Sequence, residues 1–173
     1  MKIKTKFKDL FLVQQNRFLD NRGYFKELIQ EYKLNLKFPF VVMSFSKKNV
    51  IRGLHIQTKN SQGKLLSVIK GKIFDVALDL RKNSKTFGRH FKIVLTEKKA
   101  RYLFVPKGFA HGFLGLEKEN IVLYSCSNYR YSNYERSIRW NDKDLDINWG
   151  VKKPIISKRD SKASTLKEYI KNK

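Results

Sequence analysis

The strongest constraint on the fold is a series of short apolar or alternating segments separated by turn residues. Such segments, when rich in Val, Ile and Phe, are typical of β-strands. We therefore predict an all-β sandwich or barrel, with strands in residues 40–46, 64–80, 90–95, 101–105 and 120–127.

Residues 64–80 also carry a turn signal. The sequence KGK at 70–72 separates two apolar halves and predicts a hairpin, in which Gly71 is free to adopt a positive φ angle. In the second half, one face of the predicted strand should lie in the core and the other should look into water or a cavity. The first face carries Phe74, Val76, Leu78 and Leu80, and the second carries Asp75, Ala77 and Asp79.

Helical signals are scarce. Residues 24–33 are compatible with a short helix or a continued strand, and residues 164–172 predict a terminal helix that Ser164 caps. The chain has no internal repeat, low-complexity linker or break in composition. With 173 residues, 41% of them apolar, we expect a single domain over residues 1–173.

Cysteine usage and hydropathy bear on the cellular compartment. The one cysteine, Cys126, supports neither a disulfide framework nor a Cys-based zinc site. The N-terminal segment lacks an apolar run of signal-peptide length, and no segment approaches the length of a membrane span. These features predict a cytoplasmic protein without a membrane partner.

The formal net charge of +23 raises the question of a nucleic-acid partner. The basic residues are scattered, however, and no basic helical stripe or RNA-binding aromatic motif accompanies them. We therefore expect no nucleic-acid partner. A positive field would still attract a small anionic substrate.

Three segments carry side chains suited to acid–base chemistry: RGLHIQ with Arg52 and His55, VPKGFAHGF with His111, and ENIVLYSCSNY with Tyr124. Taken singly, a histidine in an apolar run or a tyrosine in a strand is more often structural. The second segment also predicts a tight turn that brings His111 to a strand edge. Together with Lys64, these side chains supply the base, the acid and the fixed positive charge needed to move a proton on an anionic substrate.

Metal binding requires more ligands than these segments offer. A catalytic metal usually needs three protein ligands, and a His-x-His pair on one strand commonly supplies two. Here Gln57 takes the place of the second histidine after His55, and no glutamate follows at short spacing. His90 is flanked by charged residues, and we interpret it as structural or exposed. We expect neither a metal nor a cofactor.

The order of the motifs resembles the dTDP-4-dehydrorhamnose 3,5-epimerase family over residues 9–165. The motifs are DNRGYFKE, NVIRGLHIQ, QGK, FDVALDLR, VPKGFAHGF, LYSCSNY, IRWND and SKRD. Each motif alone is weak, but the combination is highly specific. The resemblance implies a cupin jelly-roll barrel (double-stranded β-helix) with short peripheral helices. It also implies a metal-independent enzyme that forms a homodimer, with an active site inside each barrel.

The resemblance implies four catalytic roles. His55 would remove the proton beside the ketone of the substrate, and Asp160 of SKRD would orient it. Lys64 of QGK would face the developing enolate oxygen. Tyr124 would return a proton on the opposite face of the sugar.

Tyr124 has two rivals for the role of the acid, because Tyr129 and Tyr131 lie close in sequence. The ordinary pKa of a tyrosine is about 10, so rapid recycling would require surroundings that lower it. We expect a nearby cation such as Lys64 to lower the pKa of Tyr124.

The predicted substrate is a nucleoside-diphosphate 4-keto-6-deoxy sugar that is inverted at C3, C5 or both, for surface polysaccharide biosynthesis. In the family resemblance, Arg22 and Arg52 hold the diphosphate, His111 lies near the enolate, and the YFKE segment contacts the nucleotide. The predicted substrate-binding residues are Arg22, Phe25, Glu27, Arg52, Gln57, His111 and Tyr129.

Two departures from the family pattern bear on the substrate. Phe40, Val42 and Ser44 stand where the family strand usually carries Gln, Asn and Ser. Arg130 follows Tyr129 where the familiar form has two adjacent tyrosines. The choice among dTDP-, GDP- and CDP-linked sugars, and between hexose and heptose, therefore stays open.

Two other functions also stay open. A related cupin isomerase moves the keto group between C4 and C3, but it usually carries a second histidine beside the RG-x-H motif, so Gln57 argues against it. A non-catalytic cupin would bind a sugar nucleotide or a nucleic acid without exchanging protons with solvent.

Overall fold

The computed structural model describes residues 1–172, which form two large antiparallel sheets, a two-stranded hairpin and a few short helices. The all-β prediction is confirmed. The strands are β1 (Lys2–Lys4), β2 (Phe11–Gln14), β3 (Arg17–Asp20), β4 (Gly23–Lys26), β5 (Phe40–Lys47), β6 (Ile51–Gln57), β7 (Lys64–Lys70), β8 (Lys72–Asp79), β9 (His90–Thr96), β10 (Arg101–Val105), β11 (Phe109–Gly115), β12 (Glu119–Cys126) and β13 (Glu135–Ser137). The helices are α1 (Glu31–Leu34), α2 (Lys158–Ser161) and α3 (Leu166–Lys171).

The strand order identifies a jelly roll. One sheet has the order β1-β2-β10-β7-β12-β5 and the other has the order β13-β6-β11-β8-β9. From β5 to β13, the chain changes sheet at every step except between β8 and β9. This repeated crossing confirms the predicted double-sheet architecture.

The turn at Gly71 is present, with φ at +83°, but the predicted hairpin is wrong. β7 pairs with β10 and β12, whereas β8 pairs with β9 and β11, so the two strands lie in different sheets. Only Gly71 links β7 to β8, whereas the tightest common hairpins need a loop of two residues. The chain therefore turns a corner between the sheets at this point.

The space between the sheets holds the main core at one end. Leu66 and Val68 of β7 pack there with Ile73 of β8 and Phe113 of β11. Tyr124 is partly buried against the same cluster. Phe113 and Tyr124 also line a cavity between the sheets, so the core is continuous with the wall of that cavity.

A second apolar cluster covers the outer face of the five-stranded sheet. Val76 and Leu78 of β8 pack there with Ile138, Trp149 and Leu166 of the C-terminal segment. The face of β8 predicted to be core is therefore buried under this segment and not between the sheets. The other face, predicted to look into water or a cavity, is also fully buried at Asp75, Ala77 and Asp79, and Asp75 contacts His111 of the cavity lining.

Three local predictions differ from the structure in detail. His111 does not lie at a sheet edge, because β11 lies between β6 and β8. Thr165, and not Ser164, caps α3, because only Thr165 is spaced to exchange hydrogen bonds with Glu168 in a capping box. Residues 24–33 contain both alternatives, namely the end of β4 and the start of α1.

Of the helices within residues 1–172, none is long and apolar enough to cross a membrane. The single-domain organisation over residues 1–173 stays a prediction, and residue 173 lies outside the described residues.

Candidate active site

A cavity of about 350 Å³ opens between the sheets and brings together five of the predicted site residues. β6 contributes Arg52 and His55, β7 contributes Lys64, β11 contributes His111, and β12 contributes Tyr124. Because β7 and β12 belong to one sheet and β6 and β11 to the other, these side chains enter the cavity from opposite walls.

An irregularity in β6 allows Arg52 and His55 to line the same cavity although they are three residues apart. In a regular strand, residues at odd spacing point to opposite faces. The register between β6 and β11 shifts between these two residues, as in a β-bulge. Gly53 permits the shift, because its φ is +114° and a Cβ atom there would lie 2.6 Å from the Cα of Gly112.

Asp160 lies on α2 directly behind His55. Nε2 of His55 is 2.6 Å from Oδ1 of Asp160, and the backbone N–H of Gly53 donates to Oδ2 at 3.4 Å. Ser157 caps α2 by accepting from the backbone N–H of Asp160 at 3.0 Å. The His55 side chain is 33% exposed and that of Asp160 only 3%, so the imidazole faces the cavity and screens its partner.

The Asp160 carboxyl is ionised despite its burial. Burial raises its pKa, but the hydrogen bonds from His55 and Gly53 outweigh this effect and hold the pKa below its ordinary value. An ionised carboxylate can only accept, so Nε2 of His55 carries the proton. Nδ1 is therefore the nitrogen available to act as a base.

Tyr124 keeps its proton in this cavity. Its hydroxyl lies 3.2 Å from Oγ of Ser44, and its ring meets the edge of His111 at a centroid distance of 6.2 Å. Burial raises the pKa of Tyr124 above its ordinary value, although Ser44 and Arg52 oppose the shift. The expectation that a cation such as Lys64 lowers this pKa is wrong for the free protein, because burial outweighs the neighbouring charges.

Lys64 places an unpaired ammonium beside these groups. Burial lowers its pKa, while the nearby Cys126 and Glu135 act in the opposite direction. Within the described part of the chain, no hydrogen bond or ion pair engages this ammonium. A donor in this position suits an oxygen that becomes negative during a reaction.

His111 and Arg52 are held by fixed partners. Nε2 of His111 lies 2.8 Å from Oδ2 of Asp75, and both residues are almost fully buried. Nε of Arg52 donates to Oγ of Ser46 and Nη2 donates to the carbonyl of Phe45, each at 2.8 Å. This leaves Nη1 of Arg52 available to an anionic ligand.

Three predicted nucleotide and diphosphate ligands lie elsewhere. Arg22, Phe25 and Glu27 belong to the β3–β4 hairpin and the segment after it, and none of them lines the cavity. Arg22 is paired with Asp20, and Glu27 accepts from Gln30 at 2.6 Å. Phe25 is 65% exposed. A single chain therefore does not bring these residues to the catalytic set.

Gln57 and Tyr129 also lie outside the cavity lining. Gln57 is buried, donates to the carbonyl of Tyr129 at 3.2 Å and accepts from the N–H of Tyr131 at 2.9 Å. It thereby ties the loop after β12 to β6. Tyr129 is 54% exposed and packs against the ring of Phe40. Because neither loop tyrosine lines the cavity, the geometry favours Tyr124 as the acid.

Sequence reasoning missed a charged cluster at the cavity wall, formed by Arg130, Glu135 and Arg159. Glu135 accepts from Nε of Arg130 at 2.7 Å and from Nη1 of Arg159 at 2.6 Å. The hydrogen bond from Arg130 is the main cause that lowers the pKa of Glu135 to about 2. Two signals were available: Arg130 departs from the family pattern after Tyr129, and Arg159 stands beside Asp160 in the SKRD motif.

β5 gives the cavity an apolar wall through Phe40, Val42 and Met43. Ser44 is the only residue of β5 in the lining with a hydrogen-bonding side chain. The departures from the family pattern in this strand therefore change the chemistry of the wall. Asp75, the partner of His111, was also missed as a site residue, although the alternation in FDVALDL predicts it on the face that looks into water or a cavity.

Residues 1–172 contain no group of three or more His, Cys, Asp or Glu side chains arranged to hold a metal ion. What the cavity offers is an imidazole bound to a carboxylate, an ammonium and a phenol, contributed by His55, Lys64 and Tyr124.

The chain matches known proteins over nearly its whole length. The family model for dTDP-4-dehydrorhamnose 3,5-epimerase matches residues 4–168. The curated dTDP-4-dehydrorhamnose 3,5-epimerase of Methanothermobacter thermautotrophicus is 41% identical over 174 residues, which cover 96% of this chain and 94% of the relative. That of Salmonella typhimurium is 40% identical over 176 residues, with coverage of 97% and 96%.

Solved structures show the same fold. The dTDP-4-dehydrorhamnose 3,5-epimerase of Elizabethkingia anophelis superposes with a TM-score of 0.91 at 37% identity, covering 97% of each chain. The dTDP-6-deoxy-D-glucose-3,5-epimerase of Legionella pneumophila, in complex with dTDP-4-keto-L-rhamnose, gives a TM-score of 0.92 at 36% identity, with coverage of 96% and 93%. With its jelly-roll topology and its match over nearly the whole length, the chain belongs to the dTDP-4-dehydrorhamnose 3,5-epimerase family.

Proposed function

We propose that this protein inverts C3, C5 or both in a nucleoside-diphosphate 4-keto-6-deoxy sugar, as a step in surface polysaccharide biosynthesis. The observation that carries the proposal is one cavity that combines a carboxylate-bound imidazole, an unpaired ammonium and a protonated phenol. Removal and return of a proton leaves the oxidation level of the sugar unchanged. The complex of the Legionella relative with dTDP-4-keto-L-rhamnose favours a dTDP-linked substrate.

His55 removes the proton from the carbon beside the ketone. Its Nδ1 is basic because Nε2 already donates to Asp160 at 2.6 Å. When Nδ1 takes the proton, the ring becomes an imidazolium, and the adjacent carboxylate of Asp160 stabilises that charge. Asp160 also fixes the orientation of the ring toward the cavity.

Lys64 stabilises the enolate that forms after proton removal. Its ammonium has no competing acceptor within the described residues, so it can donate fully to the oxygen of the former ketone. Such a fixed donor acts strongly in a cavity that is partly shielded from water. His111, held by Asp75, lies in the same lining as a second polar contact.

Tyr124 returns a proton to the opposite face of the sugar. It enters the cavity from the six-stranded sheet, whereas His55 enters from the five-stranded sheet. A sugar held between these walls presents one face to the base and the other to the acid, and this geometry inverts the carbon. Because burial raises the pKa of Tyr124, the phenol is protonated at neutral pH and ready to donate.

The diphosphate is bound by Arg52 at the cavity, and the nucleotide by residues of a second chain in a homodimer. β5 is an edge strand with exposed apolar side chains at Val41, Met43 and Phe45. Such a patch is typical of a protein interface. Arg22 and Phe25 lie on the exposed β3–β4 hairpin and do not line the cavity of the same chain. In the homodimer, they contact the nucleotide bound in the cavity of the second chain.

Deuterium exchange tests the reaction. The protein is incubated in D₂O with dTDP-, GDP- and CDP-linked 4-keto-6-deoxy sugars, and deuterium at C3 and C5 is followed by NMR. We expect incorporation with one nucleotide and its loss in His55→Asn. The matched control, His90→Asn, lies outside the cavity lining and should keep full exchange.

The products separate the alternatives. A shift of the ketone from C4 to C3 would establish the isomerase, and sugar-nucleotide binding without any exchange would establish a non-catalytic cupin. Full epimerase activity in His55→Asn would refute the assignment of the base.

A further inference from the structure

A groove of about 840 Å³ lies beside the active site, and the proposed reaction gives it no role. It is bounded by the end of β6, by β13 and by the segment from α2 to α3. Glu135 and Arg159 line both the groove and the active-site cavity. Their ion pair, at 2.6 Å, therefore forms the partition between the two spaces.

The lining of the groove is strongly cationic. Four basic side chains, Lys59, Arg136, Arg159 and Lys162, face a single carboxylate, Glu135. That carboxylate is already shared between two guanidinium groups. The groove therefore presents excess positive charge in a concave space, which favours an anion over a cation or an apolar ligand.

Much of the donor capacity in the groove is unused. The ammonium of Lys162 has no hydrogen bond or ion pair within the described residues. Arg136 uses Nη1 for the carbonyls of Asn133 and Glu135, both at 2.9 Å, and keeps Nε and Nη2 without acceptors in residues 1–172. The ammonium of Lys59 lies over the ring of Tyr134 at 5.4 Å, a contact that an added anion need not break.

We infer that this groove is a second ligand site, separate from the substrate cavity, which binds a pyrophosphate-bearing anion. Phosphate oxygens accept several charge-assisted hydrogen bonds at once, and guanidinium groups match their geometry with paired donors. Two linked phosphates carry enough charge to engage both Arg136 and Lys162. The volume of about 840 Å³ admits such a group with a nucleoside attached.

Arg159 couples the groove to the catalytic pair. It donates to Glu135 at 2.6 Å and to Oγ of Ser137 at 3.2 Å, and it precedes Asp160 on α2. Ser137 in turn lies opposite His55 in the β13–β6 register. An anion bound in the groove offers the Arg159 guanidinium a competing acceptor and weakens its hydrogen bonds to Glu135 and Ser137. The His55–Asp160 pair then shifts in position, and the turnover rate changes.

Calorimetric titration with inorganic pyrophosphate tests the site without requiring turnover. The full chain is used in an Arg52→Ala background, which removes the diphosphate ligand of the substrate cavity. Adding Arg136→Gln and Lys162→Gln should weaken binding about tenfold or more, because two charge-assisted contacts are lost. Adding Lys152→Gln and Lys158→Gln removes the same charge outside the groove and should change binding by less than about twofold.

Equal weakening by the two double variants would overturn the site, because the general positive field of the protein would then hold the pyrophosphate.

The coupling between the groove and the catalytic pair is tested separately, in the protein that keeps Arg52. Pyrophosphate should change kcat at saturating sugar nucleotide, and Arg136→Gln with Lys162→Gln should abolish that change. An effect of pyrophosphate on KM alone would contradict the coupling. Because calorimetry needs no turnover, failure of the proposed epimerase reaction would leave the binding result interpretable.

Discussion

Burial shifts the pKa values of two catalytic groups on the six-stranded sheet in opposite directions. It raises the pKa of the Tyr124 phenol and lowers that of the Lys64 ammonium, because in each case a low-dielectric site favours the neutral form. Tyr124 therefore holds its proton, and Lys64 is readily drawn into a hydrogen bond with a developing oxyanion. Asp160 stays ionised although it is buried, because hydrogen bonds from His55 and Gly53 lower its pKa.

Replacing Tyr124 by Phe separates proton removal from proton return. Without the phenol, His55 can still exchange the substrate proton with solvent, but delivery to the opposite face is lost. We expect inversion to slow by about 10²- to 10⁴-fold, with residual deuterium exchange retained. Tyr131→Phe is the matched control, because Tyr131 does not line the cavity. Equal slowing in both variants, measured by NMR, would make the loop tyrosine a rival for the acid.

Glu135 makes stability depend on pH in the acid range. Its pKa is lowered to about 2, mainly by the hydrogen bond from Arg130. A lowered folded-state pKa stabilises the protein above the unfolded value of about 4.3, and this contribution is lost as the pH falls toward 2.

We expect Glu135→Gln to lower the free energy of unfolding at pH 7 by roughly 1–2 kcal/mol, after discounting for the exposed arginine partners. The difference from the native protein should shrink as the pH approaches 2, as measured by urea unfolding. Glu119→Gln removes an exposed ion pair with Lys70 and should have little effect. A pH-independent difference for Glu135→Gln would refute the ionic origin of the stabilisation.

Among the elements, β6 and α2 do most to assemble the active site. β6 carries Arg52 and His55, and the irregularity at Gly53 directs both side chains into the cavity. α2 has only four residues, yet its cap at Ser157 fixes Asp160 behind the imidazole. A regular β6 would place one of the two functional side chains on the opposite face of the sheet.

Gly53→Ala tests the role of this irregularity. Its Cβ would meet the Cα of Gly112 and the carbonyl of His111 at 2.6 Å, in addition to the strain of a φ at +114°. We expect a loss of stability of about 3 kcal/mol or more and a large fall in kcat. Gly150→Ala also has a positive φ, but no atom lies within 4 Å of the added Cβ.

The control should therefore cost only about 1–2 kcal/mol from backbone strain and leave kcat intact. Thermal unfolding and initial rates together give both quantities. Full activity in Gly53→Ala would show that the close approach of β6 and β11 does not position the active-site residues.

At the scale of the whole molecule, an exposed apolar face lies along the edge strand β5. Val41, Met43 and Phe45 alternate along the edge strand β5 and are 50%, 64% and 47% exposed. The free backbone N–H and C=O groups of such an edge strand can pair with a strand of another copy of the chain. The β3–β4 hairpin, which carries Phe25, presents a second exposed apolar surface.

Val41→Lys combined with Phe45→Lys should convert a dimer into a monomer in sedimentation-velocity experiments. Neither residue lines the cavity, so a fall in activity would report loss of the partner's hairpin. Val94→Lys with Ile155→Lys is the control, because these side chains are 50% and 57% exposed elsewhere on the surface. If both double variants stay dimeric, the interface does not lie at β5.

The sequence by itself determined the β-rich fold, most strand positions and the chemistry-bearing residues. Period-two patterns and turn residues are local signals, and β10 was predicted with the bounds that it has in the structure. The order of the motifs, through the family resemblance, also indicated His55, Lys64, Tyr124 and Asp160.

Tertiary structure decided how these residues meet. It paired Asp160 with His55 across 105 positions of sequence, and it placed Gly71 at a corner between sheets where a hairpin was expected. It also raised the pKa of Tyr124, because burial depends on what packs around the phenol. Local sequence patterns report strand propensity and the alternation of apolar and polar residues. Strand partners, side-chain burial and the local electrostatic field depend instead on distant segments, which come together only when the two sheets pack.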